Sequence, residues 1–145
     1  MQDTIERQIN IKATKQQVYE AIADPSKITS WFPDGIEGSL DEGEQPILDF
    51  GEHGKTQILV VATKPHDYFA YRWVPGANHY IGDVEKTDTT LVEFKLAEEN
   101  GATTLTVIES GFSKLPVELA EPSYKQNSGG WGYMLGRLEK EFSEE

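Results

Sequence analysis

Trp131-Gly132-Tyr133-Met134-Leu135-Gly136-Arg137-Leu138-Glu139-Lys140-Glu141-Phe142 is the stretch that decides the fold. Trp131, Met134, Leu135, Leu138 and Phe142 recur at i, i+3, i+4, i+7 and i+11, so they share one side of an α-helix. Such a stripe must be buried against another element. The preceding sequence supplies one. Segments 36–40, 45–51, 55–63, 68–74, 89–97 and 102–110 read as strands, punctuated by Gly43, His53-Gly54, Pro65, Pro75-Gly76 and Asn100-Gly101. Glu99-Asn100-Gly101 between two alternating runs marks a tight hairpin. Residues 74–88 are ambiguous, with space for a short strand near Ile81–Glu85. An antiparallel sheet with one apolar face curls around the terminal helix and leaves room between them.

The N-terminal part fits this plan. Ile5, Arg7, Ile9 and Ile11 alternate with Glu6, Gln8 and Asn10, which is a strand. Thr14 with Gln17 three residues later is a capping box, and Val18, Tyr19, Ile22 and Ala23 follow at helical spacing. Asp24-Pro25 ends that helix and opens a second, short one that reaches Trp31-Phe32 and stops at Pro33 and Gly35. The expectation is one α+β domain over residues 1–145: a curved antiparallel sheet of six to seven strands around a long C-terminal helix, with two short helices after strand one. The helix glycines have two readings. Either Gly129 and Gly130 start the helix proper, or Gly132 and Gly136 permit close approach of a backbone or leave space for a ligand.

Composition narrows the function. The chain has 145 residues, 13 Lys and Arg against 25 Asp and Glu, and a formal charge of −12. Such a charge repels phosphate backbones and anionic lipid heads, so neither nucleic acid nor a membrane surface is expected as a partner. It also opposes an anionic fatty-acid ligand unless Arg7, Arg72 or Arg137 lies near the mouth of the site. Mean hydropathy is −0.52, yet six Phe, six Tyr and three Trp are too many aromatics for a disordered acidic chain. There is no cysteine, hence no disulfide or thiolate chemistry. The first twelve residues lack the apolar core of a signal peptide, and the longest apolar run, Ile58–Ala62, is too short to span a membrane. The expected location is cytoplasmic.

Familiar catalytic motifs are absent: no G-x-S-x-G, H-E-x-x-H, P-loop or EF-hand loop. His53, His66 and His79 fall in or beside loops and carry no metal-site geometry. The acidic run Glu37–Glu44 lacks the oxygen spacing of a calcium loop. Gly130, Gly132 and Gly136 lack the flanking strands of a dinucleotide fingerprint. Neither a metal nor a cofactor is expected. The aromatics are more informative. Alternation puts Phe69, Tyr71 and Trp73 on one face of their strand, Val92, Phe94 and Leu96 on one face of the next long strand, and Leu105, Val107 and Glu109 on one face of the last, and these faces can together line the concave side. Two readings follow: a packed core with Glu109 at the sheet's rim in water, or an apolar cavity in which a few polar groups orient a ligand.

Val18-Tyr19-Glu20-Ala21-Ile22, then Asp24-Pro25 and Trp31-Phe32, resembles the opening of START/Bet v 1-like (SRPBCC) proteins. More narrowly, it resembles homologues of the activator of heat-shock protein 90 ATPase. Pro65 to Trp73, Glu109-Ser110-Gly111-Phe112, and Gly130-Trp131 with Leu135 and Leu138 resemble later parts of that family in the same order. The resemblance covers about residues 5–142. It implies the helix-grip fold, a ligand between sheet and C-terminal helix, and, by position, contact residues Trp31, Phe32, Phe50, Phe69, Tyr71, Trp73, Phe94, Phe112, Trp131, Met134, Leu135 and Leu138. Tyr71 and Glu109 are expected to supply polar orientation. The first expectation is thus a binder of a small hydrophobic or aromatic ligand, as a monomer or homodimer. A co-chaperone role in the stress response instead predicts an exposed apolar patch near Trp31-Phe32 or on the convex sheet face, with a chaperone or other protein as partner. A cyclase, dehydratase or hydrolase predicts Glu109, Tyr71 or a nearby His as acid or base.

Overall fold

The computed structural model describes residues 3–76 and 79–143. In chain order the elements are β1 (Thr4–Ile11), α1 (Lys15–Ala23), α2 (Pro25–Ile28), β2 (Gly35–Glu37), β3 (Ile47–Asp49), β4 (Lys55–Gln57), β5 (Leu59–Lys64), β6 (Tyr68–Trp73), β7 (Thr90–Glu99), β8 (Ala102–Ser110) and α3 (Val117–Ser143). Five strands form an antiparallel sheet in the order β1-β8-β7-β6-β5, and β2-β3-β4 form a second, smaller one. The architecture is the expected helix-grip.

The strand count differs in a specific way. The 55–63 segment breaks at Ile58 into β4, which pairs with β3, and β5, which pairs with β6. Ile58 is buried, and its N–H bonds to the Pro46 carbonyl. The break lets one run of sequence serve two sheets, which period-two alternation cannot reveal. Residues 79–88 contain no strand; Val84–Lys86 form a single 3₁₀ turn that buries Val84. The hairpin between β7 and β8 turns through Asn100 and Gly101, both at positive φ (55° and 79°), the backbone that an Asn-Gly turn selects.

Local signals explain the helices. Thr14 and Gln17 form the reciprocal capping box of α1, and Asp24 caps α2 with Pro25 at its first position. α3 is longer than its apolar stripe, because it begins at Val117 and runs without interruption through Pro122 and the glycines. Gly129 and Gly130 therefore do not start it. A Cβ at Gly129, Gly130, Gly132 or Gly136 would meet nothing within 4 Å, so close backbone approach is not their reason either.

The core lies between the concave face of the five-stranded sheet and the helices. Ile5, Phe69, Tyr71, Val92, Phe94, Leu105 and Val107 come from the sheet, Val18 and Ile22 from α1, and Trp131, Leu135 and Leu138 from α3. The strand parities hold, with the apolar residues of β7 and β8 buried in alternation. The convex face is polar: Gln8 bonds Thr106, Asn10 bonds Thr104, and the Tyr68 hydroxyl donates to Glu93. Trp31 and Phe32 are 0% and 3% exposed, so the apolar patch expected there is not on the surface. Among the described residues, no helix is long and apolar enough to cross a membrane.

Candidate functional site

A cavity of about 750 Å³ lies where α3, the end of β6 and the small sheet meet. Its apolar wall is built by rings from four parts of the chain. Phe32 follows α2, Phe50 follows β3, Trp73 ends β6 and Trp131 sits mid-way along α3. Phe32 is the hub, with ring centroids 5.4 Å from Phe50, 5.5 Å from Trp131 and 5.9 Å from Trp73. Offset and edge-on ring pairs at these spacings hold one another in fixed orientations. Val74 and Met134 complete the apolar lining.

Behind this wall is a buried carboxylate. Glu109 is 0% exposed and accepts from four side chains. Its Oε1 takes Trp131 Nε1 at 2.8 Å and Asn127 Nδ2 at 2.9 Å. Its Oε2 takes Thr90 Oγ1 at 2.5 Å, Trp73 Nε1 at 2.9 Å and Asn127 Nδ2 at 3.1 Å. The expectation of Glu109 at the sheet's rim in water is therefore corrected: β8 carries it inward, and α3 closes over it. The orientation of the Asn127 amide is fixed, because its Oδ1 accepts the Gly76 N–H at 3.1 Å. An indole N–H can only donate. The cluster thus ties β6, β7, β8 and α3 to one carboxylate, and it leaves Glu109 no lone pair facing the cavity.

Tyr71 lies near this cluster but not on the cavity wall. Its hydroxyl is buried and has no hydrogen-bond partner among the described residues. Burial, with the nearby Glu109 charge, pushes its ionisation well above that of a free tyrosine. Thr56 Oγ1 is likewise buried and unpartnered, and Thr56 does line the cavity. Around the mouth are Asp34, Glu52, His53, His79, Gln126, Asn127, Tyr133 and Arg137.

Of the thirteen residues expected from the sequence, five line the cavity: Phe32, Phe50, Trp73, Trp131 and Met134. Trp31, Phe69, Tyr71, Phe94, Phe112, Leu135 and Leu138 are packed in the core around it, together with Glu109. Sequence reasoning missed Thr56, Gln126, Asn127 and Gly130, and of the three arginines it offered for the mouth only Arg137 lines the cavity. For α3 the signal was present: Gln126, Gly130, Tyr133 and Arg137 follow i, i+4, i+7 and i+11, a second stripe beside the apolar one. Two of the three histidines, His53 and His79, share the mouth, while His66 packs edge-on against Tyr19. Among the described residues, no group of three His, Asp or Glu side chains is placed to hold a metal ion.

The family model for "Activator of Hsp90 ATPase homolog 1-like protein" matches residues 12–143. A comparison with curated proteins found no match. Among solved structures, the chain is similar to DynU16, from the dynemicin biosynthetic locus, with 25% identity and a TM-score of 0.78. That alignment covers 99% of this chain and 48% of DynU16, so the chain spans about half of its length. It is also similar to MLL2253 from Mesorhizobium loti, with 20% identity, a TM-score of 0.76 and 94% of each chain covered. The Aha1 dimer from Colwellia psychrerythraea shares 18% identity and a TM-score of 0.75, over 97% of this chain and 96% of that one. The latter two likenesses are of fold. With the family model spanning both the grip and the helix it holds, the chain belongs to the Activator of Hsp90 ATPase homolog 1-like family.

Proposed function

We propose that this protein binds a small apolar or aromatic ligand in the cavity between α3, β6 and the small sheet. The observation that carries the proposal is the cavity itself: about 750 Å³, with one wall formed by Phe32, Phe50, Trp73, Val74, Trp131 and Met134 and the remainder lined by polar side chains that include Gln126, Tyr133 and Arg137. That is the make-up of small-molecule sites, and its volume is in their range. Burying a flat ring against such a wall is worth about 25 cal/mol per Å² of apolar surface removed from water. Polar side chains that line the same cavity, among them Gln126, Tyr133 and Arg137, offer the hydrogen bonds that fix a ligand's orientation. An acid–base mechanism through Glu109 or Tyr71 gains no support, since neither lines the cavity and the oxygens of Glu109 are already taken.

The test uses the neutral dye N-phenyl-1-naphthylamine, whose emission rises in apolar surroundings. Saturable binding is expected in the wild type and is lost in Gly130→Phe. Gly130 lines the cavity, and a Cβ there meets nothing within 4 Å, so the ring projects into free space without displacing the fold. No saturable binding by the wild type, or equal binding by Gly130→Phe, overturns the proposal.

A further inference from the structure

The −12 charge argues against acidic ligands, but the distribution of the three arginines reverses that inference locally. Arg7 is committed elsewhere: its guanidinium donates to the Ser128 carbonyl at 3.0 Å and the Ser128 hydroxyl at 2.7 Å. Arg72 is exposed in β6, whose inward-facing neighbours Tyr71 and Trp73 are buried. Among the described residues, Arg137 is the one arginine that lines the cavity, and no lysine does. It is half-buried on α3 and has no hydrogen bond or ion pair among the described residues. A partly desolvated guanidinium without a partner is unusual in a chain with 25 acidic residues. Asp34 and Glu52 also line the cavity but are exposed. Their charges are screened by solvent within about 10 Å at ordinary salt.

Resting on the cavity as the binding site, we infer that its ligand is an aromatic acid, with its rings against Trp73 and Trp131 and its anionic head paired with Arg137. The stripe Gln126, Gly130, Tyr133 and Arg137 shows how one helix does both jobs. Gly130 leaves open volume beside Trp131, and Arg137, seven residues further on, stands two turns along the same side. Guanidinium matches a carboxylate or sulfonate with two parallel N–H donors, a geometry that lysine does not offer.

Two dyes of nearly the same aromatic body separate this inference from the cavity proposal: 1-anilinonaphthalene-8-sulfonate, an anion, and neutral N-phenyl-1-naphthylamine. In Arg137→Gln, the anionic dye is expected to bind about tenfold more weakly or worse, as for loss of a charge-assisted hydrogen bond. The neutral dye should hold within about twofold, which also shows that the variant is folded. Arg72→Gln removes the same charge from the outer face and is expected to change neither, whereas Arg137→Lys restores only part of the anionic affinity. If both dyes bind and Arg137→Gln leaves their ratio unchanged, or Arg72→Gln lowers it equally, the inference is overturned while the cavity proposal stands. If the wild type binds neither dye, both fail.

Discussion

Glu109→Gln exchanges one oxygen for an NH₂ group inside a cluster built entirely of donors, and the consequence can be worked atom by atom. If the NH₂ takes the Oε1 position, it faces Trp131 Nε1 and Asn127 Nδ2, neither of which can accept. Asn127 cannot flip to help, because Gly76 N–H holds its oxygen. If the NH₂ takes the Oε2 position, the Thr90 hydroxyl can rotate and accept, but Trp73 Nε1 is left facing a donor. The second arrangement costs less and still orphans a buried indole N–H. A buried donor without a partner costs about 1–3 kcal/mol, and loss of the charge weakens the bonds that survive. The expected destabilisation is about 3 kcal/mol, which lowers Tm by roughly 6–12 °C in a domain of this size. Urea denaturation followed by circular dichroism at pH 7 measures it. Tyr71→Phe is the control: it removes a hydroxyl that already lacks a partner, so stability should stay within about 1 kcal/mol or rise. A Glu109→Gln variant within about 1 kcal/mol of the wild type would refute the cluster as drawn.

Two further outcomes follow from the geometry. Gly132 and Gly136 are exposed on α3, and a methyl group at either position would meet only open space, so Gly132→Ala with Gly136→Ala should stabilise by about 2 kcal/mol. Calorimetry should show Tm raised by about 4–8 °C, and an unchanged or lower Tm would mean that these glycines serve a contact or motion. Burial and the hydrogen bond to Glu93 push Tyr68 from 10.0 up to about 12. Because the fold favours the protonated phenol, its stabilising contribution is complete below pH 10 and is lost as pH rises toward about 12. Ultraviolet titration of tyrosinate should show a late step near pH 12 that loses one tyrosine's amplitude in Tyr68→Phe, and a variant that instead loses amplitude only near pH 10 would contradict it.

The parts of the fold that could be read early are those where one residue's chemistry settles local geometry. Thr14 and Gln17 cap α1 by reciprocal hydrogen bonds, Asn100-Gly101 supplies the positive φ of a tight turn, and the 131–142 stripe has one possible buried side. The small sheet was harder. β2, β3 and β4 have three residues each, too short for alternation to register, and the division at Ile58 depends on which partner strand is nearer in space. The site followed the same rule. Rings on alternating positions were legible as a group, but whether a ring faces a void or another ring depends on elements far apart in sequence. Phe50 and Trp73 meet the cavity only because the small sheet stands off from α3, whereas Phe69 and Phe94, of the same parity, pack against each other at 6.2 Å. Thr56 carries no motif and emerges only from the packed arrangement, which also selects Arg137 from the three candidate arginines.

The placement of Glu109 explains why the aromatic wall of the cavity is apolar when two of its rings are tryptophans. A Trp in a cavity normally presents its N–H as a polar handle to whatever enters. Here Trp73 and Trp131 both turn that edge away, to the same carboxylate at 2.9 and 2.8 Å, and show the cavity only carbon. A single acceptor with several lone pairs can take both indoles, and one neutral acceptor could not do so while also holding Thr90 and Asn127. Burying that charge is costly unless its bonds are complete. The cluster answers the cost with four donor residues drawn from β6, β7 and α3, so the wall keeps its shape only while sheet and helix stay gripped. Discrimination between ligands then passes to the polar side chains that line the rest of the cavity, where Arg137 supplies the one permanent positive charge among the described residues.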